Sequence, residues 1–129
     1  MTTVPVISVV DDDASIRTAI YNLLRSLGYI VHVFRSAEAF LQSPQLQNTW
    51  CVIADVRMPG MSGIELQSRL RSEGNRVPFV FVTAVPEEGV RARALEGGAI
   101  CFLTKPFDED SLVAGLGKAL AWYIGGASP

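Results

Sequence analysis

Apolar residues change their period repeatedly along this chain. Five short runs rich in β-branched and aromatic residues read as strands: "VISVV" (6–10), "YIVHVF" (29–34), "WCVIA" (50–54), "FVFVTA" (79–84) and "AICFL" (99–103). After each run, apolar positions recur at three- and four-residue spacing. They are Ile16, Ile20, Leu23, Leu24 and Leu27; Ala37, Phe40 and Leu41; Ile64, Leu66 and Leu70; Val90, Ala94 and Leu95; and Leu112, Leu116, Ala119, Leu120 and Tyr123. Each set predicts a helix. The punctuation agrees, with Asp13 or Ser15, Ser36 and Asp108 placed as N-caps and Gly28, Gly74 and Gly97 placed as helix ends.

Near-continuous apolar strands alternating with helices predict a parallel sheet covered on both faces. Parallel strands need crossovers, and right-handed crossovers put helices on either side. The predicted fold class is α/β, a doubly wound five-stranded parallel sheet. In such sheets ligand chemistry gathers outside the carboxyl ends of the strands, where the strand order reverses.

Length and composition narrow the picture. With 129 residues, 49% of them hydrophobic, the chain suits one domain with a real core. A net charge of −2 gives no positive field that would draw the domain onto DNA or an anionic membrane, so protein and small-ion partners are expected. No apolar run approaches the roughly 20 residues of a membrane span, and "MTTVPVISVV" lacks a basic n-region, so a cytoplasmic location is expected. Cys51 and Cys101 lack metal-type spacing and fall in apolar runs, where a cysteine serves as a small core residue. The single histidine, His32, has no second histidine or acidic cluster beside it and reads as an ordinary strand residue.

The strand ends carry the candidate chemistry. Asp11, Asp12 and Asp13 follow the first strand, Asp55 ends the third, Thr83 the fourth, and Lys105 lies just past the fifth. Asp13 suits a helix N-cap. Asp11, Asp12 and Asp55 would repel one another unless a cation neutralised them, and an oxygen-only carboxylate set without His or Cys suits Mg²⁺. Singly, Thr83 could be a strand residue with high β propensity and Lys105 a surface charge. Together with the acids they make a phosphoryl site: a metal and an ammonium to neutralise charge, a hydroxyl to donate to a phosphoryl oxygen, and a carboxylate nucleophile.

On these residues the chain resembles a two-component response-regulator receiver domain, from "ISVVDDD" through "DVRMPGMSG" and "FVTA" to "GGAICFLTKPF". "SAEAFL" and "RMPGMSG" look most like the FixJ-like branch, whose receivers usually precede a LuxR-type DNA-binding domain. The resemblance implies a flavodoxin-like, CheY-like sheet of strand order 2-1-3-4-5. It implies that Asp55 accepts a phosphoryl group from a sensor histidine kinase and that Asp11, Asp12, Asp55 and the backbone carbonyl of Arg57 hold Mg²⁺. Thr83 would sense the phosphoryl oxygen, Lys105 would pair with it, Phe102 would be the aromatic switch, and Lys105–Pro106 would be cis. Such a domain is not an enzyme toward other substrates; it catalyses only its own phosphorylation and dephosphorylation.

The order 2-1-3-4-5 separates the strands of Cys51 and Cys101 by about 9–10 Å, so no disulfide is expected. The resemblance also implies a homodimer on phosphorylation through the fourth helix, fifth strand and fifth helix, with Val90, Arg91, Ala94, Leu95, Ile100 and Lys118 as candidate face residues. "TAVPEEG" departs from the branch, because Pro86 restricts Val85 and predicts a stiffer loop. An apolar Val85 cannot orient an attacking water, which predicts slow aspartyl-phosphate hydrolysis, although Arg57 also acts there.

The receiver is expected to occupy residues 1–123, with "IGGASP" (124–129) starting a linker or tail and an output domain absent. Two alternatives stand beside this reading. One is a receiver-like interaction module that is never phosphorylated, against which the complete set of five site residues argues. The other is a haloacid-dehalogenase-like phosphatase, which "DDDAS" also fits. That family needs a longer chain and further acids after another strand, and it leaves Asp55 unexplained; Asp108, Glu109 and Asp110 merely open the last helix.

Overall fold

Five parallel strands pair in the order β2-β1-β3-β4-β5 in a computed structural model that describes residues 4–125. The strands are β1 (Val6–Val10), β2 (Ile30–Phe34), β3 (Cys51–Asp55), β4 (Phe79–Thr83) and β5 (Cys101–Thr104). The helices are α1 (Ala14–Ser26), α2 (Ala37–Leu41), α3 (Gly63–Ser72), α4 (Glu88–Glu96) and α5 (Glu109–Ile124). All five expected strand–helix units are present, and the doubly wound order is the expected one.

Alternation along each strand sends successive side chains to opposite faces of the sheet. Ile7, Val9, Ile53, Val80 and Val82 pack against Ile20 and Leu24 of α1 and Leu112, Leu116 and Ala119 of α5. Val10, Val52, Ala54, Phe79 and Phe81 pack on the other face against Phe40 of α2, Leu66 and Leu70 of α3 and Ala94 of α4. Both faces of β3 and β4 are thus dry, which is why these strands read as unbroken apolar runs. Each fully buried Leu, Ile or Phe contributes about 1.5–3 kcal/mol.

The caps follow the sequence closely. Asp13 rather than Ser15 caps α1, accepting from the N–H groups of Ser15 and Ile16, while Ser36 caps α2 and Asp108 caps α5. Gly28 and Gly74 take positive φ just past α1 and α3. At the end of α4 the left-handed residue is Gly98, not Gly97; Gly97 is the C-cap with φ −78 and is required for a different reason, close approach to Gln67.

Two features depart from the sequence reading, and the cysteines do not. A 3₁₀ helix over Pro44–Asn48 follows α2; its single apolar residue, Leu46, gives no period to read. Ala94, expected on an exposed face, is fully buried against the core, because α4 turns this position and not its neighbour Leu95 inward. Cys51 and Cys101 are free thiols with β4 between their strands, and burial pushes both above the ordinary thiol range, consistent with core residues. No helix among the described residues is long and apolar enough to cross a membrane.

Candidate functional site

Four strand ends converge at one edge of the sheet. Asp11 follows β1 directly and is 1% exposed. Its Oδ1 accepts the N–H of Asp13 at 2.9 Å, and its backbone oxygen accepts from Arg17 Nη1 at 2.7 Å, so the start of α1 fixes it on both sides. Asp55 closes β3 and is 6% exposed, with Oδ1 accepting the N–H of Arg57 at 3.3 Å. Lys105, from the loop after β5, reaches between them and places Nζ 3.0 Å from Asp11 Oδ2 and 3.3 Å from Asp55 Oδ2. Asp12 is exposed at the rim, and Asp11, Asp12 and Asp55 each offer an oxygen within 4.8 Å of the others.

One ammonium does not balance this much carboxylate. Burial first, and the charge of Asp11 second, push Asp55 up to about 6 against the lowering effect of Lys105. For Lys105 burial acts downward, but Asp11 and then Asp55 outweigh it and raise the ammonium above its ordinary value. Asp11 Oδ2 is buried and receives no well-directed hydrogen bond despite the nearby Lys105. An incompletely satisfied buried oxygen, beside two further carboxylates and with no nitrogen or sulfur ligand, fits a small hard divalent cation such as Mg²⁺.

The remaining candidates surround this cluster. Thr83 ends β4 with 1% exposure. Its Oγ1 accepts the N–H of Val85 at 3.2 Å and lies 3.3 Å from Val85 O, so the hydroxyl is engaged with its own loop. Phe102 pairs with Phe81 in the sheet register and is partly buried, its ring 6.4 Å from that of Phe81. Lys105–Pro106 is cis, as expected. Arg57 turns its guanidinium outward to an ion pair with Glu87, at the entrance to α4.

Three further residues shape the site without having been singled out from the sequence. Glu38 of α2 accepts the N–H of Met61, which lowers its carboxyl below the ordinary value and ties down the loop after Asp55. In that loop Gly60 has φ +78, and a Cβ there would lie 2.6 Å from the Glu38 carboxylate. Gly63 opens α3 against the backbone oxygen of Asp55, 2.2 Å from where a Cβ would stand. Of these arrangements only the start of α3 had a readable signal, the Ser62-x-x-Glu65 capping box, which is formed. Glu38 and Glu87 are ordinary surface acids until the fold brings their partners to them.

Known proteins give a concordant answer. Residues 7–116 match the family model described as response regulator receiver domain. Response regulator protein TodT of Pseudomonas putida is 37% identical over 115 residues, covering 89% of this chain and 51% of its own. Transcriptional regulatory protein FixJ of Bradyrhizobium diazoefficiens is 39% identical over 120 residues, covering 93% and 58%. The crystal structure of a response regulator receiver protein from Burkholderia phymatum superposes with a TM-score of 0.77 at 42% identity, covering 91% of this chain and 95% of that one. This chain spans about half the length of the curated relatives. The phosphatase alternative gains nothing, since Asp108 caps α5 and the acidic cluster among the described residues consists of Asp11, Asp12 and Asp55. With its sheet order, its strand-end acids and these matches taken together, the chain belongs to the response-regulator receiver-domain family.

Proposed function

We propose that Asp55 is the phosphoacceptor of this receiver and takes its phosphoryl group from a phosphohistidine of a sensor histidine kinase. The observation that carries the reading is the placement of Asp55, buried at the end of β3 with Lys105 on Oδ2 and two further carboxylates within reach. A carboxylate oxygen of Asp55 attacks phosphorus as the P–N bond breaks; the imidazole departs with that electron pair, and an acyl phosphate is left on Asp55. Lys105 offsets charge on the transferred group. Thr83 exchanges its Val85 contacts for a phosphoryl oxygen. Asp11, Asp12, Asp55 and the Arg57 carbonyl are the groups that would hold Mg²⁺, which when bound neutralises phosphoryl charge.

Output follows from the same change. Movement of Thr83 vacates space, Phe102 turns inward, and the α4-β5-α5 face is remodelled for pairing with a second copy. Arg91, Leu95 and Lys118 are exposed on it, and Val90 and Ile100 are partly so. The relatives named as transcriptional regulators support a transcriptional output domain joined to the receiver. In this reading the protein is cytoplasmic and the receiver, placed at residues 1–123, does not itself touch nucleic acid. Helix α5 runs one residue past that expected boundary, through Ile124 with Gly125 as its C-cap, and 126–129, the rest of the expected linker, lie outside the described residues.

Acetyl phosphate with Mg²⁺ tests the assignment. Intact-mass measurement should show one phosphoryl addition to the wild type and none to Asp55→Asn. Addition that persists in Asp55→Asn would move the acceptor elsewhere, and no addition to either protein would favour an interaction module that is never phosphorylated.

A further inference from the structure

Helix α4 is held to the molecule unevenly. Ala94 is its one buried residue, and the loop before it, residues 84–87, is exposed throughout. Two side chains one turn apart on α3 grip its C-terminal end: Gln67 Nε2 donates to Ala94 O at 3.1 Å and Arg71 Nε to Gly97 O at 2.9 Å. Arg71 is itself fixed, with Nη1 donating to Asn75 O and Val77 O and the guanidinium 5.6 Å from the Phe79 ring centroid. Gly97 approaches so closely that a Cβ there would stand 2.5 Å from Gln67 Oε1.

The N-terminal end has no such polar grip; partly buried Val90 is the first-turn side chain that packs on the core. Glu87 occupies the N-cap position but makes no side-chain hydrogen bond to the first turn of α4. Its carboxylate is engaged by the guanidinium of Arg57 instead. Arg57 lies two residues beyond Asp55, and its backbone N–H donates to Asp55 Oδ1. A short connection therefore runs from Asp55 through Arg57 and Glu87 to the start of α4, apart from Thr83 and Phe102. The two side chains of the pair are 57% and 48% exposed, so the tie is weak and screened by salt, as a releasable contact must be.

We propose that the Arg57–Glu87 ion pair is a latch on the N-terminus of α4, released when a phosphoryl group on Asp55 draws the Arg57 guanidinium away from Glu87. The helix then swings about the Gln67–Arg71 clamp at its other end. This rests on Asp55 being the phosphoacceptor. The physical reason is competition for one guanidinium: a phosphoryl group offers more charge and more acceptor oxygens than a single solvated carboxylate. Glu87 acts here as a positioning residue, since it touches neither Asp55 nor the transferred group.

Hydrogen–deuterium exchange of the full chain tests the latch. The amide of Arg91 bonds to Glu87 O and reports the first turn, whereas Gly97, Gly98 and Ala99 report the clamped end. In the unphosphorylated protein Glu87→Gln should speed exchange at Arg91 about two- to five-fold and leave residues 97–99 unchanged. Salt at about 0.5 M should have the same effect on the wild type and little on the variant. Beryllofluoride with Mg²⁺ should bring the wild type to the variant's rate. Equal protection of Arg91 in wild type and Glu87→Gln overturns the latch, whatever happens at Asp55. Intact mass after acetyl phosphate reads the acceptor separately: a wild type that takes no phosphoryl group removes the trigger, and a labelled wild type that keeps its Arg91 protection in beryllofluoride overturns the release; labelling together with loss of that protection supports latch and trigger.

Discussion

Asp55 carries an electrostatic burden that the metal-free protein leaves unrelieved. Its folded-state value of about 6 lies above the ordinary 3.8, so its contribution to stability is fully present below the ordinary value and is lost as pH rises through the folded one. Without metal, stability should therefore fall between about pH 4 and pH 6. Asp55→Asn should stabilise the protein by about 1–3 kcal/mol at pH 7, and this advantage should shrink toward pH 4. Urea titrations in chelator across that range check it; parallel curves for both proteins would show that Asp55 is not the burdened group. Mg²⁺ should offset the same repulsion and raise Tm at neutral pH, contributing about 1.4–2.7 kcal/mol at 10 to 100 times its Kd. Asp12→Asn should reduce that gain, and an equal shift in both proteins would place the ion elsewhere.

Among the elements, α3 and α5 show how position decides what a glycine does. Gly63 begins α3 against the main chain of β3, where a Cβ would fall 2.2 Å from Asp55 O and 3.1 Å from Phe81 Cε1. Neither backbone nor packed ring can yield, so Gly63→Ala should destabilise by about 1–3 kcal/mol and displace Asp55, slowing its phosphorylation. Gly117, exposed in the interior of α5 with nothing within 4 Å of a Cβ, is the opposite case. Gly117→Ala should stabilise by about 0.5–1 kcal/mol without altering phosphorylation. Denaturant midpoints and acetyl phosphate labelling of the two variants read both effects, and similar behaviour of the pair would refute the packing argument. The helices also differ in what holds them: α1 and α5 bury apolar stripes, whereas α4 fully buries one alanine, packs Val90 partly on the core and adds polar contacts at its ends.

At the scale of the whole molecule, the acidic site and the proposed output face lie on neighbouring parts of one sheet, joined by β4 and β5. A change at Asp55 therefore has a short path to α4-β5-α5. Sedimentation with beryllofluoride and Mg²⁺ should show a monomer shifting toward a symmetric dimer. Phe102→Ala should weaken that shift while leaving Asp55 phosphorylation intact, because Phe102 packs on the hydrophobic core from β5 beside Phe81. A protein that is monomeric in both states would exclude the homodimer and leave output to contacts with another domain. The buried Ala94 narrows the proposed surface, of which Arg91, Leu95 and Lys118 are exposed.

Local periodicity was enough to read the five strands, the five helices and most of their caps, because burial on two faces of a parallel sheet imposes patterns confined to each segment. The strand-end rule then places Asp11, Asp12, Asp55, Thr83 and Lys105 at one edge from the sequence alone. The strand order came from family likeness, since nothing within a single strand records which neighbour it pairs with. Tertiary structure alone decided the contacts between exposed, aperiodic side chains far apart in the chain. Arg57 finds Glu87, Glu38 finds the N–H of Met61, and Gln67 and Arg71 find the carbonyls of Ala94 and Gly97 only when separate loops and helices meet in space. Polar side chains of this kind leave no period in the sequence. Their partners are fixed by the packing of apolar residues elsewhere, which is also why Ala94 turned inward while Leu95, the larger hydrophobe beside it, stayed in solvent.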